Sequence, residues 1–289
     1  MSRMNKKNII KINTKSRQLL LGSYQSSFKW SGITFSNIRP YVAGDPYHWI
    51  DRKTSAKKGE WYLREFEEER LLNILLVLDV WENMKFHTIT PTKFDYTLQL
   101  AELLSQAAGE AGDRLGYFLY EDQSIRYQKA SRSPKHLQRL HTILAEHGAT
   151  KKSSLQAAIA YLEHQHLKHH LIIWVSDHLV TLEDKHLHGL ARTNDLIRVH
   201  LFDPFETTAA LPEATSSTLL FHEGHKNVPT CLDTETQTEY RQHFQQALTM
   251  SDKILRSRNI TTYTITTDQD PLKQLILLFQ KHKHYKQRH

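Results

Sequence analysis

Apolar and polar positions follow two regimes along the chain, and the change comes near residue 70. From Leu71, the run LLNILLVLD is apolar almost throughout and ends in Asp79. That is the pattern of a strand buried on both faces of a parallel sheet. Thr90-Pro91 then opens a helix, with Thr as N-cap and Pro at the first helical position. Phe94, Leu98, Ala101, Leu104, Ala108 and Ala111 recur on one face of it, and Gly112-Asp113 ends it. RLGYFLYE and SIRYQ follow as an antiparallel pair of strands. Helices are predicted over 134–147 and 153–165, the second opened by Ser153 or Ser154. HLIIWVSD is a second buried strand and ends in Asp177. A helix over 183–193, strands LIRVHLFD and TLLFH, a helix over 235–257, strand ITTYTIT and a helix over 271–283 complete the pattern. Tyr240, Phe244, Ala247, Leu248, Ser251 and Leu255 form the inward stripe of the long helix, and Asp270-Pro271 starts the last one.

Residues 1–70 read differently. Short strand pieces, Ile33-Thr34-Phe35 and Trp61-Tyr62-Leu63, are separated by turns at Gly32, Gly44-Asp45-Pro46 and Lys57-Lys58-Gly59. The expected organisation is a small β-rich N-terminal subdomain with a disordered start (1–70), an α/β domain (71–283) and a basic tail (284–289). Strands alternating with helices imply a mostly parallel sheet with helices on both faces. Ligands of such sheets bind outside the carboxyl ends of the strands. Asp79, Asp177 and Asp203 each close an apolar strand, so two or three of them could converge there.

A strand-end Asp, followed by a loop with oxygen side chains, suits a hard cation such as Mg²⁺. Here the loop is Asp79-Val80-Trp81-Glu82-Asn83: Asn83 and Glu82 carry oxygens and Trp81 does not. Asp177 could add a carboxylate and Ser154 a hydroxyl. The alternative is that these Asp residues cap the turns that follow them. Before residue 70, Arg39, Asp45, Asp51 and Arg64 are charges of mixed sign in or near turns. They could fix an irregular segment or present a partner surface.

Composition narrows the classes. Lys and Arg number 38 against 31 Asp and Glu, a net charge of +7, which permits nucleic-acid contact. The charge is spread, however, and no nucleic-acid motif accompanies it. One cysteine, Cys231, forbids an internal disulfide and points to the cytoplasm. No apolar run approaches the ~18 residues of a membrane span. Walker and GxGxxG loops, a GxSxG elbow and zinc-ligand spacings are all missing from the sequence. Ser176-Asp177-His178 holds triad residue types, but adjacent side chains cannot assemble a triad.

Three stretches, FSNIRPYVAGDPYHWIDRKTSAKKGEWYLREFEEERLLNILLVLD, KFDYTLQLAELLSQAAGEAGDRLGYFLYED and LIIWVSD, carry a resemblance that continues through HLFDPFETTAALPE, LDTETQTEYRQHF and TTDQDPLKQL. The chain resembles the bacterial domain of unknown function 58 family, a von Willebrand A-like group linked to MoxR-type AAA+ ATPases. The resemblance covers about residues 30–280. It implies a von Willebrand A-like sheet starting at Leu71, behind a β-rich subdomain. It also implies a metal-ion-dependent adhesion site with the pattern Asp-x-Ser-x-Ser, a Thr and a second Asp. Asp79 matches the first position and Asp177 the second Asp. Trp81 and Asn83 stand where the two Ser belong, and Ser154 stands for the Thr. Arg52 departs from the family, which has Trp after the Ile-Asp pair.

The expectation is a non-enzymatic adaptor for a MoxR-type AAA+ ATPase and a client protein. Its metal site (Asp79, Asn83, Ser154, Asp177) is degenerate, with no cofactor or weakly bound Mg. Trp81, Arg39, Asp45 and Asp51 are the candidate partner contacts. The alternatives are a metal-assisted hydrolase using the carboxylates and His178, and a basic nucleic-acid-binding protein.

Overall fold

The structure, a computed structural model, describes residues 14–28, 34–67, 71–120, 125–132, 155–179, 187–208, 219–223, 226–230 and 234–288. Its centre is a six-stranded sheet in the order β10-β7-β6-β3-β4-β5. The strands are β3 (Asn73–Asp79), β4 (Arg114–Tyr120), β5 (Ile125–Ser131), β6 (His170–Ser176), β7 (Asp195–Phe202) and β10 (Thr261–Thr266). All neighbours pair in parallel except β4 and β5, which are antiparallel as the short connection between them demands.

The two faces follow from the two-residue period of a strand. Ile74, Leu76 and Leu78 of β3 join Leu171, Ile173 and Val175 of β6 in one core layer. Helices α1 (Thr14–Phe28), α3 (Lys93–Ala111) and α8 (Pro271–Arg288) cover it. Leu75 and Val77 join Ile172 and Trp174 in the other layer, under α4 (Leu155–His164), α5 (Leu187–Thr193) and the end of α7 (Thr234–Ser257). The expected α/β architecture with helices on both faces is therefore present.

Four local readings change. Residues 14–28 form a helix, with Leu20 and Tyr24 buried one turn apart against α8. Ser27 adds a hydrogen bond to the Phe279 carbonyl at 2.7 Å, and with two buried apolar positions among the described residues the periodicity is faint. The cap of α3 is Thr92, two residues later than expected, because Thr92 and Asp95 bond reciprocally as a capping pair. The strand TLLFH does not join the main sheet: β8 (Leu219–Glu223) pairs with β9 (Lys226–Thr230) in a separate hairpin. Helix α8 runs to Arg288, so most of the expected basic tail is helical. The expected disordered start, the helix over 134–147 and Ser154 fall outside the described residues.

Ahead of the sheet, β1 (Thr34–Pro40) pairs antiparallel with β2 (Tyr62–Glu67), matching the expected β-rich segment. Between them lie a 3₁₀ turn at Tyr47–Trp49 and the short helix α2 (Arg52–Lys58). Among the described residues, no helix is long and apolar enough to cross a membrane.

Candidate functional site

Connectivity reverses between β3 and β6. The chain leaves β3 through α3 on one face and reaches β6 through α4 on the other. Such a switch point opens a crevice at the carboxyl ends of the two strands. Asp79 is the last residue of β3, and Asp177 follows the last residue of β6. Ligand atoms of Asp79, Asp177 and His178 all lie within 4.8 Å of one another.

Asp79 is fully buried. Its Oδ1 accepts the Trp81 backbone N–H at 3.0 Å. Its Oδ2 accepts the Tyr120 hydroxyl at 3.0 Å and the Ser176 hydroxyl at 2.8 Å. Burial, and then the Asp177 charge, push its carboxyl above the ordinary carboxylate range. The indole of Trp81 stacks on the His178 ring with centroids 5.1 Å apart, and His178 Nε2 stands 3.6 Å from Asp79 Oδ2.

Asp177 is tied to a cation from the protein itself. Lys93, the first residue of α3, is fully buried. Its Nζ lies 2.8 Å from Asp177 Oδ2 and 2.7 Å from Glu206 Oε1. The Phe86 ring covers it at 5.6 Å. Burial pulls the lysine down, but the two carboxylates outweigh it and hold the ammonium above its ordinary value. Glu206 belongs to α6 (Pro204–Thr208), and its Oε2 accepts the Asp203 backbone N–H at 2.7 Å. Asp203 does not enter the cluster. It accepts the Thr88 N–H at 2.8 Å and so pins the loop in front of α3.

A second buried cation lies below. Arg198 of β7 donates to the His178 carbonyl at 2.6 Å and sits over the Trp174 ring at 5.4 Å. The Trp174 indole N–H donates to Tyr120 at 3.2 Å, which links this layer to Asp79.

Among the described residues, the positions of the adhesion-site pattern offer fewer donors than that pattern asks for. Trp81 offers a ring where a hydroxyl is needed. Asn83 is exposed on a 3₁₀ turn, Glu82–Lys85. Both oxygens of Asp79 already accept hydrogen bonds, and one oxygen of Asp177 holds an ammonium. The other, Oδ1, is buried and has no hydrogen-bond partner.

Of the residues singled out in the sequence, Asp79, Asp177, Trp81 and His178 come together. Arg39, Asp45 and Asp51 do not. Arg39 and Asp45 form a two-bond fork at 2.7 and 2.8 Å. That fork, with the Val42 N–H, pushes the Asp45 carboxyl down to about 2. Asp51 caps α2 by accepting the Thr54 N–H at 2.9 Å. All three hold the N-terminal segment. Sequence reading missed Lys93, Glu206, Tyr120 and Arg198, and weighed Ser176 only as a triad type. Lys93 left one signal: a cation at a helix N-terminus opposes the macrodipole and needs a compensating partner. Glu206 left another, the Asp-x-x-Glu spacing of a capping box.

The family model described as "Protein of unknown function DUF58" matches residues 37–254. No curated protein matches the chain significantly. Among solved structures, the VWA domain of SpRpn10 is similar at 12% identity, covering 72% of this chain and 94% of that one, with a TM-score of 0.42. An aerotolerance-related membrane protein from Bacteroides fragilis NCTC 9343, carrying multiple mutations to serines, is similar at 11% identity. That match covers 74% and 99% of the two chains, with a TM-score of 0.46.

Proposed function

The chain belongs to the DUF58 family, and on that premise we propose that it is a cytoplasmic, non-enzymatic adaptor whose binding site needs no divalent cation. Its partner in this reading is a MoxR-type AAA+ ATPase, and its task is the assembly or maturation of a client protein. The observation that carries the reading is the Lys93 ammonium set between Asp177 and Glu206. A protein-supplied cation neutralises the carboxylates at the switch point, so the top of the sheet keeps its shape without an ion. Trp81, stacked over His178, offers a ring at the mouth of the site. Aromatic anchors of that kind contribute disproportionately to protein interfaces.

The hydrolase alternative, a metal-assisted one using the carboxylates and His178, has Asp79, Asp177 and His178 within 4.8 Å of one another, but the Lys93 ammonium already engages Asp177. The Ser176 hydroxyl is fully buried and committed to Asp79, so it is not a usable nucleophile.

The test pairs two measurements on the full chain. Surface-immobilised protein is titrated with purified MoxR-type ATPases from the same genome, with Mg-ATP present throughout. Saturable binding, weakened by Trp81→Ala, is expected; no binding by any of them to the folded chain overturns the adaptor reading. Calorimetry of the chain alone with Mg²⁺ and Mn²⁺ should give no heat of binding, and tight binding overturns the claim of cation independence.

A further inference from the structure

The N-terminal segment exposes large apolar side chains on a backbone that is firmly held. Tyr47 is 76% exposed and Trp61 is 63% exposed. They stand on the walls of one groove of about 710 Å³, which Ile50, Arg52, Ala56 and Glu60 also line. The groove's frame is pinned from several sides. Asp51 donates its N–H to the Tyr62 carbonyl at 2.8 Å, and Tyr62 donates its own to Ser55 Oγ at 2.8 Å. Tyr41 donates to the Trp61 carbonyl at 2.8 Å, while its ring stacks on Tyr47 at 5.6 Å. Helix α2 closes on Gly59, whose φ of 75° suits a residue without a side chain. A rigid frame that keeps a Trp and a Tyr in water is the signature of a contact surface.

Charge selects the occupant. Helix α2 carries Arg52, Lys53, Lys57 and Lys58, all exposed and with no acid among them. Of the acids between Val42 and Leu63, Asp45 is taken by Arg39 and Asp51 by the helix cap. That leaves Glu60, which lines the groove together with Arg52, against four cations on α2, of which Lys53, Lys57 and Lys58 lie beside the groove and not in its lining. Lys58 lies over the Tyr62 ring at 4.5 Å. Arg52, Lys53 and Lys57 make no ion pair among the described residues. A seven-residue helix is about 10 Å long, some three phosphate spacings of a nucleic-acid strand. A nucleic-acid strand would gain few phosphate contacts there and would depend on stacking its bases against Tyr47 and Trp61. A short peptide uses the charges and the apolar walls together.

We propose that the groove between α2 and the start of β2 binds an acidic peptide segment of a partner protein. A large apolar side chain of that segment enters between Tyr47 and Trp61, and flanking carboxylates meet Arg52, Lys53 and Lys57. This surface is separate from the switch-point site and does not rest on the adaptor reading made there.

The test uses the full chain and a displayed library of random short peptides. Enriched peptides are synthesised and their affinities measured by fluorescence polarisation. The expected consensus is acidic residues around one aromatic or aliphatic residue. Trp61→Ala should weaken binding by about tenfold or more, as removal of an interface Trp does. Charge reversal of Lys53 and Lys57 together should weaken it and flatten its salt dependence. Both sites are exposed, so melting temperatures should stay near wild type, which separates lost binding from lost folding. No enrichment, a neutral or basic consensus, or equal binding by Trp61→Ala overturns the proposal. So does a preference, abolished by Trp61→Ala, for single-stranded oligothymidine or for vesicles of anionic phospholipid.

Discussion

The Lys93 ammonium lies 2.8 Å from Asp177 and 2.7 Å from Glu206, fully buried at the first residue of α3. Removing one partner of a buried ion pair leaves the other charge uncompensated, at about 3–5 kcal/mol. Lys93→Ala should therefore lower stability by about that much in urea unfolding. It should also create what the native chain does not need, a place for an external cation. Its melting temperature is expected to rise with Mn²⁺ and fall back with chelator, while the native protein responds to neither. An unresponsive Lys93→Ala protein would remove the assignment of Lys93 as the cation of the site.

Trp81 supplies a second, dependent prediction. Trp81→Ser places a hydroxyl two residues after Asp79 and removes the ring stacked on His178. Alone it should not confer Mn²⁺ binding, because the ammonium still faces Asp177. In the Lys93→Ala background it should strengthen Mn²⁺ binding by about tenfold, ~1.4 kcal/mol. Calorimetry of the four proteins in the cycle measures the coupling.

His200 makes the fold acid-sensitive. It is fully buried on β7 beside Phe202, with ring centroids 6.2 Å apart. Burial, followed by the Arg198 charge, pushes its imidazole down to about 3. The folded protein thus keeps His200 neutral between about pH 3 and 6.5, where the unfolded chain takes up a proton. The contribution of His200 to stability is fully present above about pH 6.5 and falls by about 1.4 kcal/mol per pH unit below it, down to about pH 3. His200→Asn should reduce that slope in urea unfolding at a series of pH values. An unchanged slope would assign the acid sensitivity elsewhere.

Tyr24 of α1 donates its hydroxyl to Asp113 Oδ2, while Asp113 Oδ1 accepts the Leu72 N–H at 2.9 Å. The helix is thereby fastened to the entry of β3. Tyr24→Phe leaves a half-satisfied buried carboxylate and should lose about 1–3 kcal/mol in denaturant unfolding. Hydrogen exchange should show faster opening of α1 than of β3.

Much of the fold was legible because its signals are local. A strand buried on both faces is a short apolar run, and NILLVLD, HLIIWVS and DLIRVHLF are three of them. Helix α1 was not legible. Its anchors include Leu20, Tyr24 and Ser27, the last two bonding to Asp113 and to the Phe279 carbonyl 89 and 252 residues away, and nothing in TKSRQLLLGSYQSSF alone marks the inward face. TLLFH had a strand's composition, but composition does not choose a partner, and it paired with β9 rather than β10.

The same division runs through the site. Sequence by itself determined that Asp79 and Asp177 end buried strands, and that the loop after Asp79 lacks a hydroxyl at Trp81. Each of those facts lies within a few residues of chain. Only the tertiary structure decided what neutralises the carboxylates. Lys93 is 84 residues from Asp177 and 113 from Glu206, and no local pattern encodes a pair at such separation. The crossing of the chain at the switch point brings them together, and burial makes the pairing obligatory, since an ammonium in a dry site needs carboxylates within hydrogen-bond reach.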